Sequence, residues 1–282
     1  MFAIKSINRA IIEMTTRCNL RCTYCLKSQP DCAAGIDMPH AQLERITDFL
    51  IAIRCPYACV NGNGETTIYK NWDLYCDRLL DNGVSLGIIS NFAKVFSDKE
   101  LSTLSRFTHI EISCDTADPA LFRTLRRGNE LSNILSNMKK LSALTQKNIS
   151  KPAISWSCVL SDLNVFTLQD YFILGIEHGV TSFNLCNLVT YQELENVTMP
   201  RHILELPVEE FKNATVILNT LISILREKGI EVRMPPSMAD SIAMRYKELN
   251  NASVAIDNPG EYNIILQENQ TRNCTEPWYT LN

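Results

Sequence analysis

Apolar and polar positions alternate along the chain in blocks of two kinds. Short apolar runs at 9–16, 57–62, 84–90, 108–113, 153–160, 181–189 and 230–234 read as strands. Between them, apolar residues recur every three or four positions over 40–54, 71–83, 98–107, 119–127, 130–147, 167–179 and 208–229, the spacing of amphipathic helices. In the first of these Leu43, Ile46, Phe49, Leu50 and Ile53 are expected to share one face. Glycines at 83, 179 and 229 close three of the helical segments. Strands separated by helices need crossover connections, so a parallel sheet is expected. Most of the strands read as near-continuous apolar runs, which implies cover on both faces. In such folds the chemistry lies beyond the carboxyl ends of the strands, here 16–28, 61–67, 90–92, 113–115, 160–164 and 186–190.

Composition narrows the function classes. A chain of 282 residues makes one large domain or two small ones. It has no apolar run of about 18 residues and no long apolar segment near its start, so neither a membrane partner nor export is expected and the cytoplasm is the expected compartment. A net charge of −4 excludes a sequence-independent nucleic-acid binder. The cysteines number 11, and without an export signal they read as reduced thiols rather than a disulfide framework. The four histidines are too scattered for a histidine-based metal site.

Chemistry is concentrated in "TTRCNLRCTYCLKS", residues 15–28, where Cys18, Cys22 and Cys25 follow the first strand. Three readings are open. The thiols could be buried packing groups. They could hold zinc, given a fourth ligand such as Cys32 or the pair Cys55 and Cys59. Or they could hold a [4Fe–4S] cluster, in which three thiolates occupy three irons and leave the fourth for another ligand. That open iron suits the amino and carboxylate groups of S-adenosylmethionine. The other cysteines in helical or strand patterns, at 76, 114, 158 and 186, read as packing.

The Cys18-x3-Cys22-x2-Cys25 spacing, in the loop after the first strand, resembles the signature of the radical S-adenosylmethionine superfamily. The resemblance runs over about residues 9–235. Tyr24 matches the position where the family has an aromatic residue beside the adenine. "NGNGETT" (61–67) is similar to the family's "GGEP" segment, with Asn63, Gly64 and Glu65 at the first three positions and Thr66 where proline is usual. There, small residues let the backbone approach the methionine amino group. A glycine-rich turn without a ligand is the alternative. "IISNFAK" (88–94) resembles the "TNG" end of the third strand, with Asn91 in the middle place. In "IEISCDTADPALFRTLRRGNE" (110–130), Ser113 and Asp115 match a fourth-strand pattern that faces the cofactor's ribose or methionine end, and Arg126 or Arg127 would pair the methionine carboxylate. A solvated helix end is the competing reading for both arginines.

The resemblance implies a partial (β/α)6 TIM-like barrel over residues 1–235, with a [4Fe–4S] cluster and S-adenosylmethionine at its open top. It implies reductive cleavage of that cofactor, hydrogen abstraction from a substrate, and a flavodoxin- or ferredoxin-like electron donor. The substrate is expected to be a peptide or protein side chain, or else a sugar-like or other small metabolite. A zinc-binding structural protein is the alternative of another class. Residues 236–282 are expected to begin a C-terminal extension. In "QTRNCTEPWYTLN" (270–282), Cys274, Pro277 and Trp278 resemble the start of the cysteine-rich SPASM type, which implies a natural chain that continues further.

Overall fold

The computed structural model describes residues 7–251 apart from 30, 31, 33, 129, 147–150, 190, 192, 193, 195 and 196. Seven strands form one sheet in chain order: β1 (Ala10–Ile12), β2 (Tyr57–Val60), β3 (Ser85–Ser90), β4 (His109–Ser113), β5 (Ala153–Val159), β6 (Ser182–Cys186) and β7 (Glu231–Arg233). All six pairings are parallel. The helices are α1 (His40–Ala52), α2 (Trp72–Asp81), α3 (Asp98–Leu104), α4 (Pro119–Arg126), α5 (Leu131–Thr145), α6 (Leu168–Glu177), α7 (Val208–Glu227) and α8 (Pro236–Asn251). This is the expected alternating α/β architecture of a partial barrel. Among the described residues no helix is long and apolar enough to cross a membrane.

Local chemistry fixes the helix ends. Ser97 and Glu100 form a capping box at the start of α3. Asp118 caps α4 by accepting from Ala120 N at 2.7 Å, and Pro119 takes the first turn, where its missing N–H costs nothing. Gly83, Gly179 and Gly229, just beyond the ends of α2, α6 and α7, all have positive φ.

The sheet curls, and side chains show which way. Asn184 Nδ2 on β6 donates to Glu111 Oε2 on β4 at 2.9 Å, reaching across β5. Neighbouring strands lie about 4.8 Å apart, so side chains two strands apart meet only where their face is concave. The opposite, convex face carries the helices. Trp156 and Phe183 pack there against Tyr171 of α6, with ring centroids 5.3 and 5.5 Å away.

Three expectations need correction. Strands β4, β5 and β6 are not apolar on both faces. Ile110, Ile112, Trp156, Cys158, Phe183 and Leu185 join the core under the helices, whereas Glu111, Ser113, Ser155, Ser157 and Asn184 face the other way. In α1, Phe49 and Ile53 are 50% and 38% exposed, and Thr47 is buried instead. At 100° per residue, positions 43, 47 and 50 stay within one narrow stripe and 49 falls well outside it. The first strand ends at Ile12, after which Thr15 bridges antiparallel to Asp37.

Residues 236–251, assigned above to the C-terminal extension, form α8, which sends Met238 and Ile242 into the main core. The segment containing Cys274, Pro277 and Trp278 lies outside the described residues.

Gly175 marks a close helix–sheet approach. A Cβ there would lie 2.7 Å from Phe183 Cε1 and 3.1 Å from Trp156 Cε3. Replacing glycine in a helix gains up to about 1 kcal/mol of propensity, but overpacking a rigid aromatic layer costs about 1–3 kcal/mol. Gly175→Val is expected to lose roughly 1–2 kcal/mol net, measured as a fall in the urea midpoint.

Candidate functional site

The cysteine loop leaves β1 and is fastened at both ends to later elements. Glu65 N donates to Arg17 O at 2.7 Å. A Cβ on Gly64 would fall 2.4 Å from both Thr15 O and Arg17 O, so the turn after β2 lies directly on the loop. Further along, Thr23 N donates to Leu125 O of α4 at 2.8 Å. Ser28 Oγ then closes the loop on Cys22 O at 2.7 Å.

Cys18, Cys22 and Cys25 gather with Leu20, Tyr24 and Ala93 in a small apolar cluster separate from the main core. Each sulfur faces an N–H donor. Leu20 N and Asn91 Nδ2 lie 3.4 and 3.6 Å from Cys18 Sγ, Arg126 Nη1 lies 3.9 Å from Cys22 Sγ, and Lys27 N lies 3.5 Å from Cys25 Sγ. Such donors favour sulfur that carries negative charge. Burial works the other way on the bare thiols. It pushes Cys22 up to about 12, with Arg126 opposing, and also raises Cys18. A metal group bound here would therefore displace protons as it binds. Among the described residues no three His, Cys, Asp or Glu side chains close on a single ion. Cys55 and Cys59, considered above as further zinc ligands, are instead buried, and Cys55 Sγ donates to Tyr57 O.

Asp115, just past β4, is the hub that fixes this loop. It is fully buried, and its Oδ2 accepts from Arg126 Nε at 2.6 Å and from the Tyr24 hydroxyl. Its Oδ1 accepts from Val159 N at the end of β5, 2.8 Å away, and its carbonyl accepts from Asn164 Nδ2 at 3.2 Å. The Arg126 guanidinium also lies over the Tyr24 ring, 5.7 Å from its centroid. Burial works against the Arg126 cation, but the charges of Asp115 and its neighbours outweigh it and hold Arg126 above its ordinary value. The sequence matched Tyr24, Asp115 and Arg126 to separate parts of a cofactor; the structure joins them to one another. Of the two candidate arginines, Arg126 lies at the cysteines, whereas Arg127 is exposed in a left-handed helix cap, with no side-chain hydrogen bond or ion pair among the described residues.

Glu65 is likewise turned inward. Its carboxylate accepts from Thr67 N, Thr67 Oγ1, Ser90 Oγ and Asn91 N at 2.7–3.0 Å, so it ties the end of β2 to the end of β3. Gly64 serves the close approach of two loops. Asn91 then links Glu65 to Cys18, and its Nδ2 also donates to Asn19 Oδ1 at 2.8 Å. Phe92, at the position where the family has glycine, holds a φ of 54° with its ring packed on Phe96. That backbone explains why glycine suits the position.

Beside the cysteines lies an open cleft of about 260 Å³. Its lining includes Tyr24, Cys25 and Lys27 of the cysteine loop, Gly62 and Asn63 after β2, Val159 at the end of β5 and Asn187 after β6. Asn63 N donates to Glu13 Oε1 at 2.5 Å. Ser113 lies on the concave face, beside Ser157. Sequence reasoning overlooked Glu13, Lys27 and Asn164. Glu13 could have been found by continuing the two-residue alternation of β1 from Ile11.

The hub carries a direct expectation. Breaking a buried ion pair from one side costs about 3–5 kcal/mol, because the remaining charge stays buried. Arg126→Met is expected to lower stability by that amount and to loosen the cysteine loop, read as faster amide exchange at Thr23. Arg126→Met combined with Asp115→Leu is expected to be less destabilised than Arg126→Met alone.

Comparisons with known proteins bear on the same region. The profile of the radical SAM superfamily matches residues 12–154, just over half of the chain. The GTP 3′,8-cyclase of Bradyrhizobium diazoefficiens is 24% identical over 163 residues, covering 52% of this chain and 47% of the relative. The GTP 3′,8-cyclase of Haemophilus ducreyi is 22% identical over 196 residues, covering 68% and 56%. The chain thus spans about half the length of the curated relatives it matches. Among solved structures, SuiB of Streptococcus suis bound to S-adenosylmethionine superposes with a TM-score of 0.60 at 14% identity, covering 82% of this chain and 50% of that one. The protein anSMEcpe with bound AdoMet gives 0.57 at 14% identity, covering 80% and 62%. At such identities the likeness is one of fold. The profile match, headed by the strand that leads into the three cysteines, establishes that the chain belongs to the radical SAM superfamily, whose enzymes use a [4Fe–4S] cluster and S-adenosylmethionine.

Proposed function

We propose that this chain is a radical SAM enzyme in which Cys18, Cys22 and Cys25 hold a [4Fe–4S] cluster and the adjoining cleft holds S-adenosylmethionine. The observation that carries this reading is the set of three sulfurs, each facing an N–H donor, in one apolar pocket beside an open cleft. The donor set fits: three thiols suit a cluster with one open iron, and the N–H groups offset the charge of its thiolates. Bound there, the cluster and S-adenosylmethionine would supply reductive, one-electron cleavage of a carbon–sulfur bond and with it the means to take a hydrogen atom from a substrate. The chain's own residues bind and orient. Tyr24 is held by Asp115 and lines the cleft together with Asn63, and Asn91 and Arg126 steady Cys18 and Cys22. Ser113 faces the barrel interior, and Gly64 and Glu65 hold the loop that carries the cysteines. Arg127 has no part in this assignment. The electron comes from a flavodoxin- or ferredoxin-like protein of the cytoplasm.

The substrate we assign is a peptide or protein side chain. Support comes from the fold shared with SuiB, which has been crystallised with its precursor peptide SuiA. The names of the curated relatives, GTP 3′,8-cyclases, favour the second reading, a small metabolite. Assignment to the SPASM-type branch rests on Cys274, Pro277 and Trp278, in the segment that follows α8.

Anaerobic reconstitution tests the cofactor reading. The wild-type protein is expected to bind about four irons and four sulfides. Cys18→Ala, Cys22→Ala and Cys25→Ala are each expected to lose most of that iron, while Cys55→Ala and Cys59→Ala keep it. Full iron in Cys22→Ala, or zinc in place of iron and sulfide, would overturn the reading. With dithionite and S-adenosylmethionine, the wild type is expected to release 5′-deoxyadenosine. Gly64→Val should reduce that release together with iron content, because its side chain would press on Thr15 O and Arg17 O. Normal iron with weakened cofactor binding would instead place Gly64 against S-adenosylmethionine.

A further inference from the structure

The concave face of the sheet is polar, unlike the apolar layers that usually fill a parallel barrel. Its side chains stand in two cross-strand rows. Register places Glu111 beside Ser155 and Ser182, and, one step nearer the cleft, Ser113 beside Ser157, Asn184 and Arg233. The next inward residue on β5 is Val159, which lines the cleft itself. The rows therefore lie directly beneath the proposed cofactor site.

Glu111 is the group with unfinished chemistry. Its side chain is only 8% exposed. Oε2 accepts from Asn184 Nδ2 at 2.9 Å, but Oε1 has no hydrogen bond among the described residues. Oε1 is also not a sealed, orphaned atom, so the interior reaches it. Nearby cations leave its Oε1 unbonded, although the charge of Arg233 reaches Glu111. His109 Nε2 is 4.0 Å from Oε2 and within 3.1 Å of Ser155 Oγ. Arg233 is held bidentately by Glu231. A buried carboxylate oxygen with no donor of its own gains a charge-assisted hydrogen bond when a cationic N–H group enters. Ser113 and Ser157, one row above, also have hydroxyls without a hydrogen-bond partner among the described residues.

We propose that this concave wall of β4–β7 binds the substrate, and that Glu111 Oε1 receives a cationic N–H group of that substrate, an ammonium or guanidinium. The proposal rests on the radical SAM reading insofar as the bound molecule is the enzyme's substrate. Glu111 is thereby a specificity residue rather than a catalytic one. It fixes one end of the substrate at the wall while the reacting carbon lies toward the cleft.

The test titrates reconstituted wild-type protein and Glu111→Gln with two ammonium probes by calorimetry: acetyl-lysine amide, a piece of peptide, and glucosamine, an aminated sugar. The amide oxygen of the substituted side chain can still accept from Asn184, so the fold is expected to survive, and thermal unfolding checks this. At least one probe is expected to bind the wild type saturably below about 10 mM and to bind the variant at least about fivefold more weakly. Preference between the probes separates a peptide from a sugar source. If Glu111→Gln does not fold, Ser157→Val, which places methyl groups over the same row, is expected to weaken the same probe about threefold. Failure of both probes to bind, or equal binding to wild type and variant, overturns the proposal. Release of 5′-deoxyadenosine with dithionite is followed in the same samples. Glu111-dependent binding without that release would sink the radical reading and leave the wall standing; release without such binding would do the reverse.

Discussion

Everything about the site depends on one buried ion pair, Asp115 with Arg126. A carboxylate removed from water needs its lone pairs filled, and Asp115 fills them from three separate parts of the chain: the Tyr24 hydroxyl, Arg126 Nε and Val159 N. Because those donors belong to the cysteine loop, α4 and β5, satisfying one carboxylate fixes the relative positions of all three. Arg126, fixed by the pair, can then present Nη1 to Cys22 Sγ. Such a pair contributes little net stability compared with well-packed apolar groups. Its value is positional: a loop of thiols with few apolar anchors of its own takes one arrangement.

A second buried carboxylate does the same on the other side of the loop. Glu65 collects four donors from its own turn and from the end of β3, and Asn91 carries that order to Cys18. Two acids that look like ligand groups in the sequence are thus consumed internally. Glu111 differs from both, because one of its oxygens keeps an open lone pair.

The cysteine loop was legible because its signal is local: eight residues contain the whole pattern. The strand and helix alternation was legible for the same reason, down to the closing glycines. What escaped was long-range. Tyr24 meets Asp115 across 91 residues and Arg126 meets Cys22 across 104, and nothing in the spacing of a sequence reports such pairings. Residue type and local motif single out Tyr24, Asp115 and Arg126, but local spacing carries no sign of their partners. The polar inner face was a different kind of miss. "HIEIS" and "SFNLC" alternate openly, and this alternation outweighs the general tendency of parallel strands to be apolar on both faces. In α8 the four-residue step from Met238 to Ile242 and the leading Pro236 are local signs of a helix that packs on the core.

The sequential order of the sheet has a consequence for biosynthesis. β1 and its cysteine loop are made early, yet the loop's anchors, Asp115, Leu125 and Arg126, are made about a hundred residues later. At ordinary translation rates the thiols wait roughly 5–20 s before those anchors exist. During that interval they lack the contacts that place them, and an unplaced thiol is open to stray metal ions and oxidants. On the cluster assignment proposed above, delivery of iron and sulfide is productive only after α4 has been synthesised, which makes loading a late event on a chain whose proposed ligands come first.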